Sequence, residues 1–350
     1  MITVAYDLTS LAQSPFGGIA QVCLHTINQA VASDQLKAQG WYRRGKRSNL
    51  DSLGCRIHRV SRADRFIGPK PEILHALCHR IPTGRYKKLV YTLYDAWSLY
   101  PNRYQSVDFQ KLIGKRMRKE LNRADAIVCI SNTTRENLLK LDIVDPAVCH
   151  VATMGVADPV KVAQAVTDPK IRRLDMRPFV LFVGRIETRK NLKHVVDALL
   201  PLRYLDLAIV GEPGYGYEEI AKASLSAFPS ERLHLFTQVD SGDLDWLYRK
   251  AVALLQPSWE EGFGLPILEA MVRGCPVLTS NCSASAEVGG DAAVLVNPAE
   301  ASESSLILQR LTDDPVYRET MSKAGMERTK YFSWRKYFEQ LMTTYRSILN

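Results

Sequence analysis

Pro257-Ser258-Trp259-Glu260-Glu261-Gly262-Phe263-Gly264-Leu265-Pro266-Ile267-Leu268-Glu269-Ala270-Met271 is the stretch on which the reading of this chain turns. Glu261 and Glu269 stand eight positions apart, with Gly262, Gly264 and Pro266 between them. A continuous helix does not hold two glycines and then a proline at its centre, because each lowers helix stability and proline also removes a donor. The pattern predicts an apolar strand over Ala251–Leu255, a glycine-containing turn, and a helix begun at Leu265–Pro266, since proline suits a first helical position. Glu269 is then expected in the first turn and Glu261 on the loop facing that helix N-terminus. Unpaired backbone N–H groups, a positive dipole end and close-approach glycines suit an anion such as phosphate. Two flanking carboxylates suit sugar hydroxyls.

Working outward, apolar runs of strand length alternate with helical periodicity on both sides of this stretch. Ile2–Tyr6, Lys88–Tyr94, Ala126–Ile130 and Val148–Val151 read as strands in the first half. Phe179–Val183, Leu207–Val210, Leu233–Phe236, Pro276–Thr279 and Ala293–Val296 do so in the second. Helices are expected from Gly17 to about Ala32, over Phe109–Arg123, Thr133–Leu141, Ser241–Lys250, Glu300–Thr312 and within Tyr331–Leu349. Asp7–Phe16 and Ser280–Glu287 read as loops, and Asp34–Lys70 carries no assignable pattern. Strands alternating with helices predict an α/β protein with two doubly wound parallel sheets. The polar stretch from Asp158 to Pro178, with three prolines, is the expected linker. The domains are then residues 1–165 and 176–332, with 333–350 returning to the first.

At 350 residues the chain exceeds one comfortable core. Its 46% apolar and 24% charged content is that of a globular protein, and no apolar run approaches the length needed to span a bilayer. Seven scattered cysteines without a Cys-x-x-Cys pair predict reduced thiols and a cytoplasmic location. His75, Cys78 and His79 lack a second ligand pair, so no metal site is expected there. Asp243-Leu244-Asp245 reads as the acidic first turn of a helix capped by Ser241, not as a metal-diphosphate motif. Residues 1–150 hold 23 basic and 12 acidic side chains; the remaining 200 hold 23 and 25. The basic half is expected to meet an anionic partner. The helix Phe109–Arg123, with Lys111, Lys115, Arg116, Arg118, Lys119 and Arg123, is expected to pack its apolar side on the sheet. Its charge also suits peripheral contact with an anionic membrane.

Chemistry-bearing residues recur at the carboxyl ends of the expected strands, where α/β proteins bind ligands. Gly17 and Gly18 open the first long helix. Tyr94 and Asp95 end a strand. Gly184-Arg185 and Lys190 form a turn whose two cations suit a diphosphate, and a leaving group that gains negative charge as its bond to sugar breaks.

The chain resembles the retaining glycosyltransferases of family 4, which have the GT-B fold. The matching pieces are Gly17-Gly18, Phe182-Val183-Gly184-Arg185 with Lys190-Asn191, Leu247-Tyr248, and Pro257-Ser258 through Glu261-Gly-Phe-Gly-Leu-Pro to Glu269-Ala. Glu287, Asn297-Pro298 and Phe332-Ser333-Trp334 also match, and the likeness is strongest over 179–300. It implies two Rossmann-like domains facing a cleft, with the C-terminal helix crossing back to the first. It implies a nucleotide sugar as substrate, no cofactor and no obligatory metal, and retention of anomeric configuration. Arg185 and Lys190, helped by Gly17-Gly18, would hold the diphosphate. Glu269 would bond the ribose and Glu261 the donor sugar, with Gly262, Phe263, Gly264 and Leu265 near sugar and phosphate. Gly211 and Val239 lie where base contacts fall. Arg185, Lys190, Glu261 and Asp95 are the expected catalytic set.

The Leu-Tyr-Asp-x-Trp-Ser-Leu-Tyr-Pro run looks like members that use GDP-mannose or a related GDP sugar. A UDP sugar is the alternative donor, and a nucleotide-sugar epimerase on the same fold is the alternative enzyme. The acceptor implied is a glycan or lipid-linked sugar of a surface polysaccharide, with no nucleic acid as partner. Many family members have His-Asp where this chain has Tyr94-Asp95. Either Tyr94 supplies only a hydrogen bond, or Asp95 takes the acceptor-side role, or another residue fills the place.

Overall fold

The computed structural model of the chain describes residues 1–14, 17–60, 70–78, 80, 81, 86–157 and 166–350. His79, the end of the Asp7–Phe16 loop, positions 61–69 and the linker positions 158–165 lie outside them. The chain divides into two compact units, each with its own parallel sheet. Unit 1 comprises Met1–Pro101, Val107–Gly155 and Phe332–Asn350; unit 2 comprises Asn102–Ser106 and Val156–Tyr331.

Among the described residues seven strands build unit 1: β1 (Ile2–Asp7), β2 (Leu36–Tyr42), β3 (Arg56–Arg59), β4 (Ile73–Ala76), β5 (Lys88–Leu93), β6 (Ala126–Cys129) and β7 (Cys149–Val151). They lie parallel in the order β3-β2-β1-β4-β5-β6-β7, so the direction of winding reverses at β1. Helices α1 (Thr9–Gln13), α2 (Gly18–Ala32), α3 (Val107–Leu121) and α4 (Asn132–Leu139) connect them. The strands β4 and β6 are buried along their whole length, which is why such segments read as continuous apolar runs. Two strands emerge from the unassigned Asp34–Lys70 stretch. Edge strand β3, Arg-Ile-His-Arg, buries only Ile57, so its sequence carries no apolar run. A short helix, α1, replaces the expected Asp7–Phe16 loop. The apolar side of α3 divides: Met117 and Leu121 enter the core, whereas Val107, Phe109 and Leu112 are exposed.

In unit 2 the strands are β8 (Phe179–Val183), β9 (Asp206–Val210), β10 (Leu233–Phe236), β11 (Ala253–Gln256), β12 (Val277–Ser280) and β13 (Val294–Val296). Their order is β10-β9-β8-β11-β12-β13, all parallel, with the reversal between β8 and β11. The helices are α5 (Pro169–Arg172), α6 (Leu192–Leu199), α7 (Tyr217–Ala223), α8 (Ser241–Lys250), α9 (Leu265–Met271), α10 (Ser283–Gly289), α11 (Ala301–Asp313) and α12 (Pro315–Thr329). Val180, Phe182, Leu207, Ile209 and Leu255 from the sheet meet Leu192, Val195, Val196, Leu308 and Leu311 from the helices in one core. Helix α10 stands where a loop was expected.

The last helix, α13 (Trp334–Ser347), belongs to unit 1 and packs on α2. Gly155 permits this return: a Cβ there would lie 2.1 Å from the Trp334 nitrogen. His25 stacks on Trp334 with ring centroids 4.3 Å apart. Deeper, Tyr345 Oη lies 2.6 Å from His75 Nδ1, and His75 Nε2 lies 2.7 Å from Thr92 Oγ1. Burial depresses the imidazole to about 3, so it stays neutral.

Replacing Tyr345 by Phe removes this bond and leaves a buried ring nitrogen unpaired. An unpaired buried polar atom costs about 1–3 kcal/mol. Urea unfolding of Tyr345→Phe is expected to show a loss of that size, and an unchanged midpoint would refute the role assigned to the network.

Candidate active site

The reversal between β8 and β11 is the topological switch point of unit 2, and ligands of open α/β sheets bind outside the carboxyl ends there. From β8 the chain leaves through Gly184, whose φ is +139° and whose N–H donates to Val210 O over 2.9 Å. Gly211 ends β9 against it: a Cβ on Gly211 would lie 1.9 Å from Gly184 O, so this crossing requires glycine. Next comes a tight turn ending in Asn191, which holds the left-handed conformation at φ +56°. Its side-chain amide donates to Pro257 O (3.1 Å) and Pro298 O (2.8 Å), tying the turn to the Glu261 loop. Trp259 N donates to Arg189 O over 2.9 Å from the other side.

Those ties bring Lys190 and Glu261 together. Lys190 Nζ donates to Glu261 Oε1 over 2.5 Å, and Ser258 Oγ donates to the same oxygen over 2.8 Å. Arg189 Nη1 donates to Glu261 Oε2 (2.9 Å) and to Glu260 O (2.6 Å), while Nη2 pairs with Glu187. The Glu261 N–H donates to Ser283 Oγ over 3.2 Å, and Ser283 itself sits at φ +58°. The side chains of Glu261 and Lys190 are 7% and 10% exposed. Burial pushes the Glu261 carboxyl upward, but the charges of Lys190 and Arg189 and the hydrogen bonds of Lys190 and Ser258 outweigh it and hold it at about 2. Burial depresses the Lys190 ammonium, and Glu261 opposes that shift.

Arg185 and Lys190, expected together as cations for a diphosphate, stand in different settings. Arg185 is exposed, whereas Lys190 is buried and bound to Glu261. Glu187 pairs with Arg189 and with neither of these two cations. Arg189 is the residue that sequence reasoning missed, although Glu187 two positions earlier already called for a nearby cation.

Gly264, at φ +105°, precedes α9, and Pro266 stands in its first turn as expected. Glu269 is the fifth residue of α9 and not in its first turn, because the helix begins at Leu265. Its half-buried carboxylate accepts from Tyr248 Oη over 2.8 Å. Burial raises the Glu269 carboxyl, with the Tyr248 hydrogen bond and Arg273 opposing. Arg273 lies over the Tyr248 ring at 5.4 Å. Gly262, Phe263, Gly264 and Leu265 follow Glu261 directly, and Val239 lies half-buried on the loop before α8.

In unit 1, Gly17 stands at φ +108° before α2, open to solvent, and Gly18 begins the helix. Tyr94 Oη donates to Leu77 O over 2.8 Å, and burial pushes its phenol well above the usual value. Tyr94 thus spends its hydroxyl hydrogen on the backbone of unit 1. Asp95, half-buried, stands two residues beyond the end of β5.

Asp243 and Asp245 are both committed to the protein. Asp243 accepts from Thr167 and Asp168, and Asp245 accepts from Arg249 and Arg273. The cap of α8 is Asp240, which accepts from Asp243 N, and not Ser241. Among the described residues no group of three His, Cys, Asp or Glu side chains is placed to hold a metal ion. No helix of the described residues is long and apolar enough to cross a membrane.

Two Rossmann-like parallel-sheet units, the second with a glycine turn, a lysine and a buried glutamate at its switch point, have the architecture of the GT-B fold. Residues 164–328 match the family described as "Glycosyl transferases group 1". The chain is 29% identical over 274 residues to O-antigen chain mannosyltransferase B of Escherichia coli, covering 75% of this chain and 71% of that protein. It is 32% identical over 229 residues to the serotype-specific mannosyltransferase WbdA of Escherichia coli, covering 61% of this chain but 28% of that longer protein. Among solved structures, HepE of Anabaena, crystallised with UDP and glucose, shares the fold with a TM-score of 0.74. The match covers 99% of this chain and all of that one at 15% identity.

The low pKa of Glu261 sets a pH window. A carboxylate held near 2 against an ordinary 4.5 stabilises the folded state above pH 4.5, and that contribution fades as the pH falls toward 2. Its size is about 3 kcal/mol. Unfolding midpoints of wild type and Glu261→Gln between pH 7 and pH 3 are expected to converge on acidification. Parallel curves would overturn the assignment.

Proposed function

We propose that the protein is a retaining, metal-independent glycosyltransferase. In this reading it moves a mannose-like hexose from a GDP sugar to a glycan or lipid-linked acceptor in surface polysaccharide synthesis. The observation that carries the reading is the meeting of the Gly184–Lys190 turn with the Glu261 loop at the switch point of unit 2. The mannosyltransferase relatives support the sugar.

The exposed guanidinium of Arg185 and the two spare hydrogens of Lys190 take the donor diphosphate. Glu261 Oε1 accepts two hydrogen bonds and Oε2 one, which leaves an acceptor position on Oε2 for a hydroxyl of the donor sugar. Glu269, steadied by Tyr248, takes the ribose hydroxyls, with Gly211 and Val239 on the base side. As the sugar C1–O bond breaks, charge grows on the departing phosphate. Fixed cations stabilise it without having to reorganise. The acceptor hydroxyl adds to C1 on the face the phosphate leaves, and its proton passes to a phosphate oxygen. With Tyr94 given to Leu77, Asp95 is the acceptor-side candidate. Gly17 and Gly18 keep the role that the resemblance implies.

A donor panel of GDP, UDP and dTDP sugars tests the reading. Nucleotide release with GDP-mannose, an unchanged anomeric configuration by NMR and full activity in EDTA are expected. Faster release from a UDP sugar would move the donor assignment. Arg185→Ala is the cleanest variant, because the side chain is exposed. It is expected to lose at least about 100-fold in kcat/KM, the scale of one charge-stabilising group, with an unchanged melting temperature. Lys190→Ala and Glu261→Ala are different: each leaves a buried charge unpaired and is expected to cost about 3–5 kcal/mol of stability as well.

A cytoplasmic location, peripheral at the inner face of the membrane, accompanies this function. Val107, Phe109 and Leu112 are 62%, 51% and 68% exposed on α3, beside exposed Lys111, Lys115, Arg118 and Lys119. Apolar side chains among lysines and arginines suit an anionic bilayer surface better than nucleic acid. Co-sedimentation with phosphatidylglycerol vesicles, lost in Leu112→Glu and absent with phosphatidylcholine, is expected. Equal binding to both vesicle types would count against it.

A further inference from the structure

Gln256, the last residue of β11, is fully buried, and neither its Oε1 nor its Nε2 has a hydrogen-bond partner among the described residues. An unpaired buried amide costs free energy, and natural interiors satisfy nearly all such groups. Its position is specific. Strand β11 adjoins β8 at the switch point, and β8 ends in Gly184. The point where Gly184 lacks a Cβ lies 3.8 Å from Gln256 Nε2 and 3.5 Å from both Cε and Nζ of Lys190. Gly184 itself is partly exposed.

Two donors thus converge over one glycine. Lys190 Nζ spends one hydrogen on Glu261, and Gln256 Nε2 spends none. Both still require an acceptor, and a glycine at a strand end allows an oxygen to come close to the backbone. Core packing does not explain the residue, because leucine would fill a similar volume without an unpaired amide.

We infer that Gln256 is a further binding residue of unit 2, donating from Nε2 to a phosphate oxygen of a nucleoside diphosphate group that settles over Gly184 beside Lys190. This rests on the nucleotide-sugar reading above. It adds a neutral donor to the cations, one that holds the phosphate in place without adding to the charge.

Calorimetric titration with GDP, UDP and dTDP, and with the corresponding nucleosides, tests it on wild type, Gln256→Leu and Gln256→Met. For whichever diphosphate wild type binds, Kd is expected to rise about tenfold in both variants, the worth of one hydrogen bond to a charged group. Nucleoside affinity should stay unchanged. The melting temperature of the ligand-free variants should not fall, since an unpaired amide has been replaced by an apolar group of similar size. A diphosphate Kd within twofold of wild type in a folded variant overturns the inference alone. So does an equal loss for diphosphate and nucleoside, which would mark general damage. Wild type that binds none of the three diphosphates overturns the nucleotide-sugar reading itself, and this inference with it.

Discussion

Unit 2 depends on a carboxylate that has been taken out of water. Burying Glu261 costs several kcal/mol unless charge and hydrogen bonds replace its hydration. The replacement comes from two segments far apart in the chain: Arg189 and Lys190 on the turn after β8, and Ser258 on the loop after β11. Once these meet, the loop has little freedom. Asn191 and Ser283 both adopt left-handed backbone conformations, which cost about 1–3 kcal/mol each for a side-chain-bearing residue. Each also makes a hydrogen bond that fixes the Glu261 loop. Strain and buried charge gather at the same strand ends.

Beneath its last helix, unit 1 is held by neutral groups. Its interior holds Tyr6, His75, Thr92 and Tyr345 as a chain of hydrogen bonds with no ion in it. Tyr345 donates to Tyr6, 339 positions earlier. The sheet of this unit is thus completed by the last helix of the chain. Contacts of such separation are slow to form, because loop-closure entropy precedes any gain. Unit 2, apart from Asn102–Ser106, is drawn from one continuous segment and carries no such dependence on the chain ends.

Parallel strands were legible because a strand covered on both faces has no polar side to disguise it. Phe179–Val183, buried throughout, has the predicted bounds; Leu233–Phe236 has them too, although it is an edge strand that buries only Phe236, because three of its four residues are apolar. Edge strand β3 was not legible, since an edge exposes half its residues and breaks the apolar run. Helix α10 was read as a loop because Ser283-Ala-Ser-Ala has no large apolar side chain to mark a period. In the site, residue types were legible and directions were not. Spacing alone gave Lys190 and Glu261, yet it could not tell that Lys190 turns inward while Arg185 faces solvent. A short turn ending in a left-handed asparagine decides that, and no periodicity announces it. Gln256 was invisible for another reason: at the end of an apolar strand a glutamine looks like an ordinary boundary residue until its amide proves buried and unpaired.

The charge count of the site bears on how it works. Glu187, Arg189, Lys190 and Glu261 sum to zero, so the buried set adds no net attraction for an anion. Its contribution is orientation: Glu261 holds the ammonium of Lys190 in one place and leaves two hydrogens for a ligand. In the proposed reading the long-range pull comes from Arg185, which salt would screen, whereas the buried donors are screened far less. That reading gives attraction and alignment to different residues. In the proposed reaction the growing phosphate charge meets donors already fixed by the fold, and the reorganisation that water would demand has been settled during folding.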